Sequence, residues 1–349
     1  MNFSMAQTPG RTTESTLPAE IARRLMAANS VLSMAHPFAD GDAIGSQLAL
    51  HHFCLAHGKT STVLNFDPIP EPLQWLPGLR DAVGTLNHHD SFDLFFLMET
   101  TDRSRMGDRM KLLPHARYSI HIDHHPGVDG LGDLNYHDEK ASSTCEMLYE
   151  VLQLTGRPLS RETLTCLYVG LITDTGNFRF TNTTPRAHTI AGEIIQQGID
   201  IAGLFKKVYE ANPFSKVLIH GLVMSRTRLV QDFPISYSWL KDQDFQDLNA
   251  TAVDSDGAIN HLCTISGVEV AAMFREQGSG DIKISLRSNG QVNVQAVCKQ
   301  LGGGGHRQAA GAQMSGSLEN AIATTIALLK TECSHLGLVN ADQTLSAVG

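Results

Sequence analysis

Residues 36–46 read His36-Pro37-Phe38-Ala39-Asp40-Gly41-Asp42-Ala43-Ile44-Gly45-Ser46. Before them stands a short apolar run, Val31-Leu32-Ser33-Met34-Ala35, with the length of a buried strand, and after them an apolar-periodic run extends to near His57. Strand, acidic turn, helix is the local reading, and it sets the fold of everything around it. A histidine and two aspartates this close would repel one another and bury charge unless a cation sits between them, and a divalent metal is the economical partner. Gly41 is expected to let the backbone turn tightly so that both carboxylates enter one cleft. Gly45 and Ser46 are expected to open the helix, where free N–H groups and the helix dipole favour a phosphate. The plainer alternative makes Asp40 and Asp42 ordinary turn and N-cap residues.

Working outward, residues 61–64, 93–98 and 118–122 read as further strands, and 17–29, 142–154, 160–171 and 185–197 as helices. Strands alternating with helices predict an α/β fold: a parallel sheet with helices on both faces and ligands at the strands' carboxyl ends. Those ends carry ligand-type residues. The third strand runs into Glu99-Thr100-Thr101-Asp102-Arg103-Ser104-Arg105, the fourth into Asp123-His124-His125-Pro126, and Asp174 follows the helix at 160–171. Composition shifts over 211–226, which reads as a helical linker. Beyond it a strand-rich, smaller α/β domain is expected over 227–338, against 17–210 for the first domain, with 1–16 and 339–349 as loose termini.

At 349 residues the chain is long enough for two cores. A net charge of −9 argues against a broad electrostatic grip on long duplex nucleic acid, while small anionic substrates stay open. Six cysteines without a CxxC pair read as reduced core thiols. The polar first residues lack the centre of a secretion signal, and no later run is apolar enough for a bilayer, so a cytoplasmic protein without membrane attachment is expected.

His36, Asp40, Asp42, Glu99, His124 and Asp174 make a carboxylate-rich set with two imidazoles. That mixture suits manganese, with magnesium, cobalt or iron as competitors, better than the ligand sets of structural zinc. Six ligands exceed the need of one catalytic ion, and two ions sharing a carboxylate would use them all. The glycine-rich run from Gly302 to Gly311 reads as a loop whose backbone N–H groups approach an anion, with His306 and Arg307 adding donors and Arg287 able to fork onto a terminal phosphate. Closure of that second domain over the metal site would select short substrates.

The order of these motifs resembles the DHH phosphoesterase superfamily, whose name is spelled by Asp123-His124-His125. Residues 36–46 are similar to its first motif, 99–105 to its second, 123–125 to its third and the neighbourhood of Asp174 to its fourth. Residues 302–311 are similar to the signature of the accessory DHHA1 domain, and 284–288 to the strand that faces it. Size and layout resemble the stand-alone NrnA group, cytosolic bacterial enzymes that degrade very short RNAs and dephosphorylate 3′-phosphoadenosine 5′-phosphate (pAp). The resemblance implies that His36 and Asp40 hold a first ion, that Asp42, His124 and Asp174 hold a second, and that Glu99 bridges. It further implies that His125 contacts the scissile phosphate while Asp123 orients the neighbouring histidines.

Ser46, Arg287, Gly303, Gly304, Gly305 and His306 are the expected substrate contacts. Expected partners are short single-stranded RNA or dinucleotides and pAp, with no long duplex and no membrane; a homodimer is left open. Cyclic or linear dinucleotides are the rival substrates. One departure stands out: the family usually carries aspartate where this chain has Glu99, one methylene longer. That leaves open a glutamate-tolerant site, a slower enzyme, or a nucleotide-binding sensor that hardly hydrolyses; Asp102 is the nearby carboxylate able to compensate. The remaining histidines read as structural, and Phe92, Phe95 and Phe96 as core.

Overall fold

Helix α1 (Leu17–Ala27) opens with proline in its first turn, where the missing N–H costs nothing, and buries Ile21, Ala22 and Leu25. It leads into β1 (Ser30–Ala35), α2 (Gly41–Ala56), β2 (Thr60–Leu64), β3 (Phe92–Met98), a short helix α3 (Arg103–Met106) continued by 3₁₀ turns, β4 (Ala116–Asp123) and β5 (Leu134–His137). Helices α4 (Thr144–Leu154), α5 (Arg161–Asp174), α6 (Pro185–Gln196) and α7 (Ile201–Phe205) follow. The computed structural model describes residues 16–339 apart from residues 88, 89, 101, 102 and 279, and only the backbone of residues 105 and 114. The described residues divide into two compact units that meet between Ala211 and Asn212.

In the first unit five strands pair in parallel in the order β2-β1-β3-β4-β5. The chain leaves β1 toward one edge and returns beside it as β3, so the strand order reverses at β1 and β3. Beyond the carboxyl ends at such a switch point lies the crevice where α/β sheets bind ligands. Register aligns those ends: Ala35 lies opposite Met98, and Met98 opposite Ile122. His36, Glu99 and Asp123 therefore leave the sheet at one level.

Both faces of the sheet are covered, which is why its central strands read as unbroken apolar runs. Val31, Val63, Leu94, Phe96, Met98, Ile120 and Ile122 join the larger core with residues of α1, α2, α4, α5 and α6. Leu32, Met34, Leu64, Phe95 and Leu97 point the other way, onto Met106 and Met110. Helix α5 extends beyond the expected boundary to Asp174, its last residue, because the Thr175 N–H still bonds to Leu171 O at 3.2 Å. Gly41 also has a different reason from the one expected. Its φ is not left-handed; instead a Cβ there would lie 2.2 Å from Thr173 Oγ1, so α2 and α5 approach too closely for any side chain.

The second unit contains α8 (Phe214–Ser225), β6 (Arg228–Leu229), β7 (Ile235–Leu240), α9 (Asp242–Asp247), α10 (Ile259–Cys263), β8 (Val270–Gln277), β9 (Asp281–Ser288), α11 (Val294–Gln300), β10 (Gly304–His306), β11 (Ala309–Ser315) and α12 (Leu318–His335). Its six strands form a mixed sheet in the order β10-β11-β9-β8-β7-β6, with only β7 and β8 parallel. Ile235, Val270, Phe274, Ile284 and Leu286 pack with α11 and α12 residues on one side. On the other, Ile219 and Val223 of α8 meet Leu262 of α10, so the segment expected as a linker contributes to this core.

The glycine run corrects an expectation. It is not an open loop: Gly304–His306 form an edge strand paired antiparallel with Ala309–Gly311. A Cβ on Gly303 would sit 2.1 Å from Gly311 O, and Gly305 combines φ +136° with a Cβ position 2.6 Å from Ala309 O. These two glycines are required by the hairpin itself, whereas a Cβ on Gly304 would meet nothing. Among the described residues no helix is long and apolar enough to cross a membrane.

Candidate metal centre

The first ligand-type residue after β1 is His36, almost wholly buried. Its Nδ1–H donates to Pro37 O at 2.8 Å, and its Nε2 faces Glu99 Oε2 at 3.6 Å. After β4, His124 repeats the arrangement: Nδ1–H donates to Ala141 O at 3.3 Å, while Nε2 stands 3.3 Å from Glu99 Oε1 and 3.5 Å from Asp174 Oδ2. A carbonyl can only accept, so each backbone contact fixes the tautomer and turns an Nε2 lone pair toward carboxylate oxygens. Each Nε2 and its facing carboxylate oxygens leave a position from which both could ligate one cation.

Glu99 lies at the centre. It takes a left-handed φ of +52°, a conformation uncommon outside glycine, while its N–H bonds to Ile122 O at 3.1 Å. Both of its carboxylate oxygens are buried and receive no hydrogen bond from a backbone, hydroxyl or amide donor; the buried Asp42 carboxyl is their acidic neighbour. Burial, then the charge of Asp40, holds this carboxyl well above the usual carboxylate range. The extra methylene relative to aspartate lets one oxygen face His36 and the other His124.

Asp40 satisfies both readings of its sequence position. Its Oδ1 accepts from the Asp42 and Ala43 N–H groups at 3.1 Å each, making it the N-cap of α2, and it also offers an atom to a cluster with His36 and Glu99. Asp42 is buried, accepting the Thr144 N–H at 2.6 Å and the Cys145 N–H at 2.9 Å from the first turn of α4. Burial and then Glu99 raise its carboxyl well above the ordinary range. Asp174, at the end of α5, has its carboxyl pushed up to about 7 by burial first and Asp42 second. Three overlapping trios, each with atoms within 4.8 Å, result: His36, Asp40 and Glu99; Glu99, His124 and His125; Asp42, His124 and Asp174. Buried oxygens without donors, facing imidazole lone pairs, fit divalent cations by charge and by ligand type.

Beside this cluster His125 is partly exposed. Its Nδ1–H donates to Asp123 Oδ1 at 2.9 Å, and the same oxygen accepts the His125 backbone N–H at 2.9 Å. That hydrogen bond raises the His125 pKa against the opposing effect of burial. For fully buried Asp123, burial pushes the carboxyl up, but the nearby His121 ring and the two hydrogen bonds from His125 outweigh it and hold the group well below the usual range. Asp123 therefore orients His125 and stands 3.7 Å from His121 Nε2, rather than orienting His124, which is tied to Ala141 O.

Ser46 departs from expectation. It lies inside α2, fully buried, and its hydroxyl donates to Ala43 O at 3.0 Å, so it presents nothing to a phosphate. The helix begins at Gly41, four residues earlier than that reading needed, and its first N–H groups are taken by Asp40. In the second unit Arg287 lies opposite Ala309, which lies opposite His306, so these residues form one row across β9, β11 and β10. Arg287 Nη1 donates to Leu286 O at 3.2 Å. Asp102 lies outside the described residues.

Residues 30–171 match the family model described as the DHH family, N-terminal domain, and residues 234–333 match the DHHA1 domain. A bifunctional oligoribonuclease and PAP phosphatase NrnA of Thermus thermophilus is 30% identical over 303 residues, spanning 86% of this chain and 90% of that protein. The chain belongs to the DHH family. The NrnA protein of Bacillus subtilis is 29% identical over 300 residues, 84% of this chain and 92% of that one. Among solved structures, an exopolyphosphatase-related protein from Bacteroides fragilis superposes with a TM-score of 0.82 at 25% identity, covering 92% of this chain and 97% of that one.

Several residues around this DHH centre escaped the sequence reading. Asn182 donates from Nδ2 to Asp174 Oδ2 at 3.0 Å and to Ser142 O at 3.0 Å, joining the end of α5 to the segment before α4. His121, two residues before Asp123 on β4, shares its face of the strand, and that spacing was the available signal. The amides of Thr144 and Cys145 carry no side-chain signal at all.

Proposed function

We propose that this protein hydrolyses phosphate esters in short oligoribonucleotides and in pAp, using two divalent cations with manganese as the expected metal. One observation carries the reading: the two buried oxygens of Glu99 face different histidines, at 3.6 and 3.3 Å, within overlapping ligand trios. His36, Asp40 and Glu99 would hold one ion, and Asp42, His124, Asp174 and Glu99 the other. Bound there, the pair lowers the pKa of a water and stabilises charge on the attacking and leaving oxygens. Pro37 O and Ala141 O aim the two ligand histidines by fixing their tautomers. His125, oriented by Asp123, which also raises its pKa, donates a hydrogen bond or proton to the phosphate or its leaving oxygen. In the second unit Arg287 and His306, aligned across the sheet through Ala309, and Gly304 on the same edge strand as His306 are proposed to bind a substrate phosphate; Gly303 and Gly305 shape that hairpin rather than contact the ligand. The relatives named as bifunctional oligoribonuclease and PAP phosphatase support the substrate class.

The test is hydrolysis of a labelled dinucleotide, a short RNA, pAp and a cyclic dinucleotide with manganese, by wild type, Asp174→Ala and Glu99→Asp. Turnover of the short linear substrates and pAp, lost in Asp174→Ala, is the expected result. A wild type inert on all four but restored by Glu99→Asp would replace the enzyme reading with that of a nucleotide sensor.

A further inference from the structure

Phe38 stands between two proposed ligands, two residues from His36 and two from Asp40, so its Cα lies within about 7 Å of either one's. It is 74% exposed, the most exposed large apolar side chain of the first unit among the described residues. Its φ is +56°, a left-handed conformation that a bulky residue adopts only under constraint. The surroundings supply that constraint. The Phe38 N–H donates to Asp67 Oδ2 at 3.1 Å, and Asp67 is held by Arg109 at 2.9 Å. Arg109 in turn lies over the Phe66 ring, 4.8 Å from its centroid.

A strained backbone that lifts a large aromatic ring into solvent, braced by a buttressed carboxylate, runs against both local preference and the hydrophobic effect. Nothing in packing explains it, since the side chain leaves the core. Its place on the turn that carries His36 and Asp40 does. We infer that Phe38 is a stacking platform for the nucleobase of the nucleotide whose phosphate lies at the metal centre. An aromatic face stacks on any base and is tolerant of sequence. The inference rests on the nucleotide-hydrolase reading and adds to it a residue that distinguishes a nucleotide from a bare sugar phosphate.

The measurement is calorimetric binding, with manganese present, of AMP and of ribose 5-phosphate, which share a phosphate and differ in the base. Neither carries the second phosphate whose hydrolysis the reading requires. Wild type, Phe38→Ala and Phe38→Tyr are compared, with manganese affinity and pAp hydrolysis recorded in parallel. Wild type should prefer AMP, Phe38→Ala should bind AMP about 10-fold or more weakly, and Phe38→Tyr should resemble wild type. Ribose 5-phosphate and manganese should bind all three proteins alike. Equal AMP affinity in wild type and Phe38→Ala overturns the inference, as does a parallel loss of ribose 5-phosphate or manganese binding. Failure to hydrolyse pAp with the AMP preference intact would sink the hydrolase reading and leave the platform standing.

Discussion

Removing metal should make the first unit sensitive to pH in a direction set by Asp174. Its carboxyl is raised from 3.8 to about 7, by burial first and by the charge of Asp42 second. In metal-free protein the folded state keeps a proton that the unfolded chain releases. Stability therefore falls as pH rises from about 4 and levels off above about 7. Linkage puts the loss from this one group at about 2.5 kcal/mol between roughly pH 5 and roughly pH 8, which in a unit of about 200 residues is about 5–10 °C of melting temperature. Asparagine at 174 keeps the shape and an oxygen for the Asn182 amide but cannot ionise. Melting of chelator-treated wild type and Asp174→Asn should show the variant gaining on wild type by that amount across the range. Saturating manganese at the alkaline end should cancel the variant's gain, since metal at 100 times its dissociation constant adds about 2.7 kcal/mol to wild type. A difference between the two proteins that stays constant with pH in chelator would refute the reasoning.

Replacing His125 by glutamine should lower kcat by about 10²–10⁴ while manganese affinity, read by calorimetry, stays near wild type; a comparable loss of metal binding would make the residue a ligand instead. Asp42→Ala leaves the Thr144 and Cys145 amides without acceptors and should cost about 1–3 kcal/mol even in metal-free protein, measured by urea denaturation in chelator. Gly303→Ala drives a methyl against Gly311 O and should destabilise the second unit by about 1–3 kcal/mol. Gly304→Ala should leave melting unchanged and raise KM.

The elements around the site were legible because metal-ligand residue types are rare directly after apolar runs. His36, Glu99 and Asp123 each follow a run of strand length, and period and punctuation sufficed to place all three at strand ends. What supports them was not legible. The contact of Asp42 with the Cys145 amide joins positions 103 residues apart and uses a backbone group that every residue shares. The glycine run was misread because the composition of an open anion loop and that of a close-paired hairpin coincide. Only the 2.1 Å approach at Gly303 separates them. Ser46 was misplaced by starting the helix at Gly45, when Asp40 caps it and the helix begins four residues earlier, at Gly41. Phe38 drew no attention because an exposed phenylalanine and a core phenylalanine are spelled alike.

The contact between Gly41 and Thr173 constrains how this chain can change over generations. Thr173 anchors its hydroxyl to Val169 O and Gly170 O at 2.9 and 3.0 Å, so it cannot swing aside to admit a methyl group at 41. An alanine at 41 becomes tolerable only once 173 has become smaller, and the order of the two steps matters: the second position must yield first. Because each of these residues adjoins a carboxylate of the cluster, Asp42 on one side and Asp174 on the other, the pair acts as a ratchet. A side chain gained at 41 before 173 has yielded would push the two helices apart, and Asp42 and Asp174 with them.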